Sequence, residues 1–219
     1  MKDVFKKYMN DELKLKKYQM IGIICLIVVI TGVFGFIYEF IFYFFNSGMK
    51  TFYYRGANFL PWINIYATGS IMIIILTKKY KKNPLLVFLI SAVSTGILEY
   101  IAGYGMYKIG NGLRCWDYNT EILNFLNIDG FVCLRSVTFF GLSALLLMYV
   151  IVPFCIYLSI KMNKKTFLIL SITLCSIFLF DELYNLVFAR IFSLPRAHDV
   201  YEKIGYKYMD YYKNNWLYS

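Results

Sequence analysis

The sequence predicts an all-α fold: a polytopic membrane helical bundle with about five transmembrane helices and an interfacial C-terminal segment. Three observations carry that reading. Of 219 residues, 59% are hydrophobic and 16% charged, where soluble domains carry roughly 45–50% and about 25%. Five long apolar runs follow one another along the chain. Lysines collect in alternate connections between those runs. A soluble helical core can produce one such run, but five leave too little polar surface to cover it.

Residues 1–18 are basic and polar and read as a cytoplasmic N-terminus. A helix needs about 20 apolar residues to cross a hydrocarbon core of about 30 Å. The first span, about 20–45, has no charged residue from Met20 to Tyr38. That core exceeds the roughly 7–15 residues of a signal peptide, and no small-x-small cleavage site follows it, so a retained first helix is expected. The second span, about 61–77, is carried by Trp62 to Thr77. A third, about 84–106, runs from Pro84 past Glu99 to Met106, and a fourth covers about 136–160. The fifth, about 166–190, continues past Asp181 and Glu182 to Phe188. Together residues 19–190 form the expected bundle. In the remainder, 191–219, Tyr201, Tyr206, Tyr208, Tyr211, Tyr212 and Trp216 interleave with charges, which suits a segment lying along the headgroups. Aromatics at 20% of the chain suit two water–lipid boundaries.

Orientation follows from Lys and Arg. Lys2, Lys6, Lys7, Lys14, Lys16 and Lys17 precede the first span; Lys78, Lys79, Lys81 and Lys82 follow the second; Lys161, Lys164 and Lys165 follow the fourth. The alternate short loops hold Lys50, Arg55, Lys108 and Arg114, so the count is thirteen against four. Positive residues stay inside, which puts the N-terminus in the cytoplasm of a multi-pass cell-membrane protein and, with five spans, the C-terminus outside. The net charge of +10 is thus a topology signal, reinforced by anionic lipid, and does not point to nucleic acid.

Gly105 to Arg135 reads as a long outer loop, and its semi-apolar part, Ile122 to Leu134, as an interfacial or re-entrant segment. Irregular backbone at membrane depth must be buried in protein or line a wet cavity.

The chemistry lies in ionisable residues within or beside the apolar runs. An acid at a helix centre costs about 2.5–3.5 kcal/mol on insertion scales, so such groups tend to face protein or water. At 1.5 Å of rise per residue, Glu39, Glu99, Asp181 and Glu182 fall in the outer part of their helices. Arg55, Arg114 and Arg135 fall at the same level. One reading is a polar cavity open to the outer leaflet; another is a set of ion pairs holding loops to helices, such as Arg55 with Glu99. His198, the one histidine, stands in the tail, which removes a His-based metal site or a Ser–His–Asp triad from the bundle. No G-x-x-x-x-G-K-[ST] is present, and neither a metal nor a cofactor is expected. Cys25, Cys155 and Cys175 read as small apolar packers, while Cys115 and Cys133 share the outer loop, where a disulfide is permitted.

These residues also carry a resemblance. Tyr54-Arg55-Gly56-Ala57-Asn58-Phe59-Leu60-Pro61, with Ile65-Tyr66 and Gly69, is similar to an RG-x-x-x-GP-x-x-PIYG-x-G segment. Glu39 stands where an acid closes the first helix, and Leu98-Glu99-Tyr100 with Gly103 matches LEY-x-x-G. Trp116-Asp117-Tyr118, then Asn127-Ile128-Asp129-Gly130 and Cys133-Leu134, is similar to WDYS…FN-x-x-GRICL. Phe140-Gly141 stands in place of WG. Over roughly residues 32 to 155 the chain resembles the CmpB-like putative ABC-transporter type IV permeases. Departures are Leu60, Asn64 and Ala67 for a glycine, a proline and a glycine, Asn119 for a serine and Phe131 for an arginine.

The resemblance implies a transporter permease-like subunit with a separate ATPase docking on the basic inner loops. Those loops are short, which gives an ATPase little to grip. The residues alone equally allow a membrane-embedded enzyme acting on a lipid or isoprenoid headgroup, with Glu39, Glu99 or Asp117 as acid–base groups. A lipid-binding scaffold is a third reading; membrane lipids are partners in all three, and the oligomeric state is open. Arg55-Gly56 before a helix start offers a fixed charge and free N–H groups, an anion or headgroup site. Asp117, between two aromatics, can pair with Arg55 or Arg114. The candidate substrate-binding residues are Glu39, Arg55, Gly56, Pro61, Tyr66, Glu99, Tyr100, Trp116, Asp117, Tyr118, Asn127 and Arg135.

Overall fold

Apolar runs of this length have one way to satisfy their backbone in lipid, which is the α-helix. The computed structural model describes residues 1–207 apart from 110, 111, 113 and 115. Its helices are α1 (Lys2–Met9), α2 (Lys17–Asn46), α3 (Asn64–Thr77), α4 (Pro84–Ile109), α5 (Leu134–Lys161), α6 (Lys164–Ile191) and α7 (Ala197–Lys203). Among the described residues the fold is a helical bundle, as the composition predicts.

The expected count of five full spans is corrected. Among the described residues four helices, α2, α4, α5 and α6, are long and apolar enough to cross a membrane. The second apolar run forms only α3, and its 14 residues reach about 21 Å at 1.5 Å per residue. Hydropathy registers Trp62 and Ile63 as apolar, but the chain is not yet helical there. The Ile63 amide donates to the Gly32 carbonyl at 3.0 Å, halfway along α2. After α2 ends at Asn46, the chain therefore runs back down beside it as non-helical backbone and starts α3 at that depth. Gly35 permits the approach, because the Tyr66 ring occupies the space a Cβ would need. Gly56 lies in the descending stretch at φ +79, where a side chain would be strained.

Below that level the bundle is closed. Ile27, Val87, Met148, Cys155 and Phe167, drawn from α2, α4, α5 and α6, form one buried apolar cluster together with Ile73 of α3. Pro153 of α5 has no N–H, and a widened turn over Leu147–Ile151 precedes it, so the helix passes the proline without a break. The basic α1 is held beneath this cluster. Lys81, 6% exposed, pairs with Asp11 at 2.5 Å and lies over the Tyr8 ring at 4.5 Å. The Lys81 ammonium holds the Asp11 carboxyl below the usual carboxylate range.

The stretch 122–133 forms turns at the end of the bundle where α2 terminates: the Ile122 amide donates to Asn46 Oδ1 at 2.8 Å. Beyond α6 the chain folds back, α7 brings Tyr201 to donate to the Phe59 carbonyl at 2.6 Å, and the Tyr54 amide donates to the Lys207 carbonyl at 2.8 Å. Tyr208, Tyr211, Tyr212 and Trp216 lie outside the described residues, as does Cys115 with the disulfide considered for it.

Candidate functional site

Five elements bring polar groups together in the half of the bundle opposite α1: α2, the descending segment 51–63, α4, the loop that follows it and α6. Glu39 is about 10 Å from the C-terminal end of α2, seven residues at 1.5 Å each. There it meets Arg55, with Nη2 at 2.7 Å and Nε donating at 2.8 Å to the same oxygen. The guanidinium also lies 3.7 Å above the Tyr43 ring. The ion pair considered for Arg55 with Glu99 is thus replaced by one with Glu39.

Two carboxylates of α6 fix the descent. Asp181 accepts from the Phe59 and Leu60 amides at 3.0 and 2.9 Å and from Asn185 Nδ2 at 2.9 Å. Glu182 accepts from Asn58 Nδ2 at 2.6 Å and Asn64 Nδ2 at 3.1 Å. A widened turn at Tyr184–Phe188 follows directly and carries Asn185. Asp181 thus occupies the Phe59 and Leu60 amides of the descending segment.

The outer loop closes the other side. Tyr118 donates to Glu99 Oε1 at 2.6 Å. Burial, then the adjacent carboxylates, push the Tyr118 hydroxyl well above the usual phenol range, so it remains a donor. Glu121, fully enclosed in the loop, accepts from Tyr43 at 2.5 Å and pairs with Arg135. Burial raises the Glu121 carboxyl above its ordinary range, against the opposing pull of Tyr43 and Arg135. Glu39, Arg55, Glu121, Arg135 and Glu99 thus form an alternating series of charges around one wall, with Tyr43 and Tyr118 between them.

The wall encloses a chamber of about 370 Å³. Of the candidate residues, Glu39, Arg55, Gly56, Tyr66, Glu99, Trp116 and Tyr118 line it. Pro61, Tyr100, Asp117, Asn127 and Arg135 do not. Pro61 is exposed at the turn before α3. Tyr100 donates to Asp129 at 3.1 Å. Asp117 stands 3.7 Å from Arg114 and accepts from the Asn119 amide at 3.1 Å, while Asn127 donates to Asn119 at 2.7 Å. Tyr100, Asp117 and Asn127 shape the loop, and Arg135 supports the wall from behind through Glu121. Phe131, at the position where an arginine is usual, is 3% exposed with the Arg114 guanidinium 4.4 Å above its ring.

Sequence reasoning leaves four polar lining residues, Tyr43, Asn58, Asn64 and Glu182, out of the candidate set. Asn58 and Asn64 sit in or beside the recognised segment, and Glu182 among the acids at this depth, so each left a signal. Tyr43 left none, being one aromatic in a run of them. Beneath Glu99 and Tyr66 the chamber narrows to a slot of about 40 Å³ walled by Thr31, Ser70, Thr95 and Ser143 among others.

A family model described as "Putative ABC-transporter type IV" matches residues 18–186, a stretch that contains every chamber residue named above. No curated protein and no solved structure matches the chain.

Proposed function

This chain belongs to the putative ABC-transporter type IV family, and we propose that it is the transporter component that receives a solute in the outer half of the membrane. It is a multi-pass membrane protein by its apolar helices and its family. The observation that carries the proposal is the half-length α3 with its non-helical lead-in. Backbone that leaves helical form at membrane depth needs protein or a wet cavity around it. Transporters use such discontinuous helices to build solute sites near the midplane. Here the chamber lies above the break, and the closed cluster around Phe167 lies below it.

The N-terminus and the lysine-rich loops then face the cytoplasm, and the mouth of the chamber faces out. A separate ATPase, which the family membership implies, meets α1 and the two short basic connections. The Asp11–Lys81 pair joins α1 to one of those connections, so a force on either is shared by both.

Labelling of single cysteines in intact cells and in inverted membranes tests this. Ala57→Cys in the chamber wall and Asn127→Cys in the outer loop are modified by an impermeant maleimide from outside. Asn83→Cys and Asn163→Cys are modified from the cytoplasmic side alone. Modification of Ala57→Cys only from the cytoplasmic side overturns an outward chamber.

A further inference from the structure

Above the slot, and among the described residues, two enclosed side chains of the chamber lining carry unfilled hydrogen-bonding positions, and both positions are acceptors. Glu99 is 6% exposed and Asn58 3%. Glu99 Oε1 receives the Tyr118 hydroxyl, but Oε2 is buried without a hydrogen-bond partner. The Ser136 hydroxyl gives its proton to the Cys133 carbonyl at 2.9 Å. Asn58 donates through Nδ2 to Glu182 and, at 3.4 Å, to the Trp62 carbonyl, which leaves Oδ1 buried and unpartnered. Turning that amide over would set its oxygen against the Glu182 carboxylate, so its orientation is fixed by charge. Buried acceptors left empty are costly, and a ligand that donates to them removes the cost.

Charge agrees. The lining carries Glu39, Glu99 and Glu182 against the single guanidinium of Arg55, and Arg55 is matched by Glu39. Glu182 has only neutral amide donors. An anion entering the chamber would meet the remaining carboxylates, and the Phe59 and Leu60 amides of the descending segment are taken by Asp181. Tyr66, Trp116 and Phe140 supply aromatic faces, which attract a cation. A bare divalent cation asks for six or more oxygen ligands, and this lining is half aromatic and apolar. About 370 Å³ is the lower end of small-molecule sites.

We infer that the chamber takes an organic ammonium ion whose N–H groups donate to Glu99 Oε2 and Asn58 Oδ1. This deepens the proposal of an outward solute chamber and rests on it. The ammonium can belong to a free amine or to an amino-headgroup lipid of the outer leaflet.

The test uses the full chain in dodecyl maltoside, a neutral detergent, and reads Tm against added 1,4-diaminobutane, 1,4-butanediol or succinate. The diamine raises Tm saturably and the diol and the diacid do not. Glu99→Gln, which keeps the Tyr118 bond, shifts the half-saturating concentration upward by about tenfold or more, the scale of a lost charge-assisted bond. Asn58→Ala does so by a smaller factor, and only variants that run as a single species on size exclusion are compared. In a second arm, phosphatidylethanolamine is added in place of phosphatidylglycerol. A Glu99-dependent rise in Tm with that lipid, reducing the diamine effect, identifies the headgroup as the source; its absence with the diamine effect intact identifies a free amine. No response to either amine overturns the ammonium, as does a response unchanged in both variants. Stabilisation by succinate that is lost in Arg55→Ala overturns the ammonium and keeps the chamber. Failure of Ala57→Cys to label from outside removes the chamber itself.

Discussion

The half of this bundle next to α1 and the half opposite it are built from the same helices and do different things with them. The half next to α1 fills its interior with Ile27, Val87, Met148, Cys155 and Phe167. The opposite half, with Glu39, Glu99, Asp181 and Glu182 on continuations of those same helices, encloses a chamber. The difference comes from α3, which packs in the lower half and is replaced above by the irregular segment 51–63. Where a fifth helix would have brought apolar side chains, an unwound chain brings amides, Arg55 and Asn58. Acids on the neighbouring helices are the complement of that chain.

Three changes sharpen the comparison, from the largest expected effect to the smallest. Phe167 has no exposed surface, and Phe167→Ala lowers stability in detergent by about 3–5 kcal/mol, as buried aromatic truncations do. Thermal unfolding checks it, and labelling of Ala57→Cys in the folded fraction stays unchanged, because the two halves are packed separately. Asp181→Asn removes one charged acceptor from the Phe59 and Leu60 amides and costs about 1.5–3 kcal/mol, the range for bonds to charged groups. Unlike the first change, it speeds labelling at Ala57→Cys by loosening the segment. If both variants alter labelling equally, the halves are not independent.

The smallest effect is at the inner face. The Asp11 carboxyl is held below its ordinary value by Lys81. A depressed carboxyl contributes stability that is present above the unfolded value of 3.8 and is lost as pH falls through the folded value. Limited proteolysis of α1 therefore accelerates in acid below that range. Asp11→Asn removes the pH dependence and leaves the chamber's labelling as it was.

The helical class was legible because five apolar runs exceed what a soluble protein can cover, and the acids interrupting them marked the half that holds the chamber. The chamber's components were legible as residue types: Glu39, Arg55, Glu99 and the Trp116–Tyr118 block sit in recognisable segments. Their pairing was not. Arg55 finds Glu39 sixteen residues away, Glu182 holds Asn58 across 124 residues and Glu121 reaches back to Tyr43, and nothing local encodes those partners. The half-length α3 was hidden for a different reason. Hydropathy sums apolar character over Trp62–Thr77 and does not register that Trp62 and Ile63 pack against α2 as extended chain. Asp117 shows the converse: a residue that stands out in the sequence and is used in a loop, beside Arg114.

The central claim is that segment 51–63 descends beside α2 and is anchored there, and the Arg55–Glu39 pair reports it most directly. A double-mutant cycle of Arg55→Ala, Glu39→Ala and both together, followed by thermal unfolding in detergent, measures their coupling. The two side chains are 2% and 15% exposed, so each single change strands a charge, and the double change is less destabilising than the sum by about 0.5–3 kcal/mol. The parallel cycle of Arg55→Ala with Asp117→Ala gives additive effects. Additive effects for Arg55 with Glu39, or a coupling that appears with Asp117 instead, would contradict the descent and the chamber built on it.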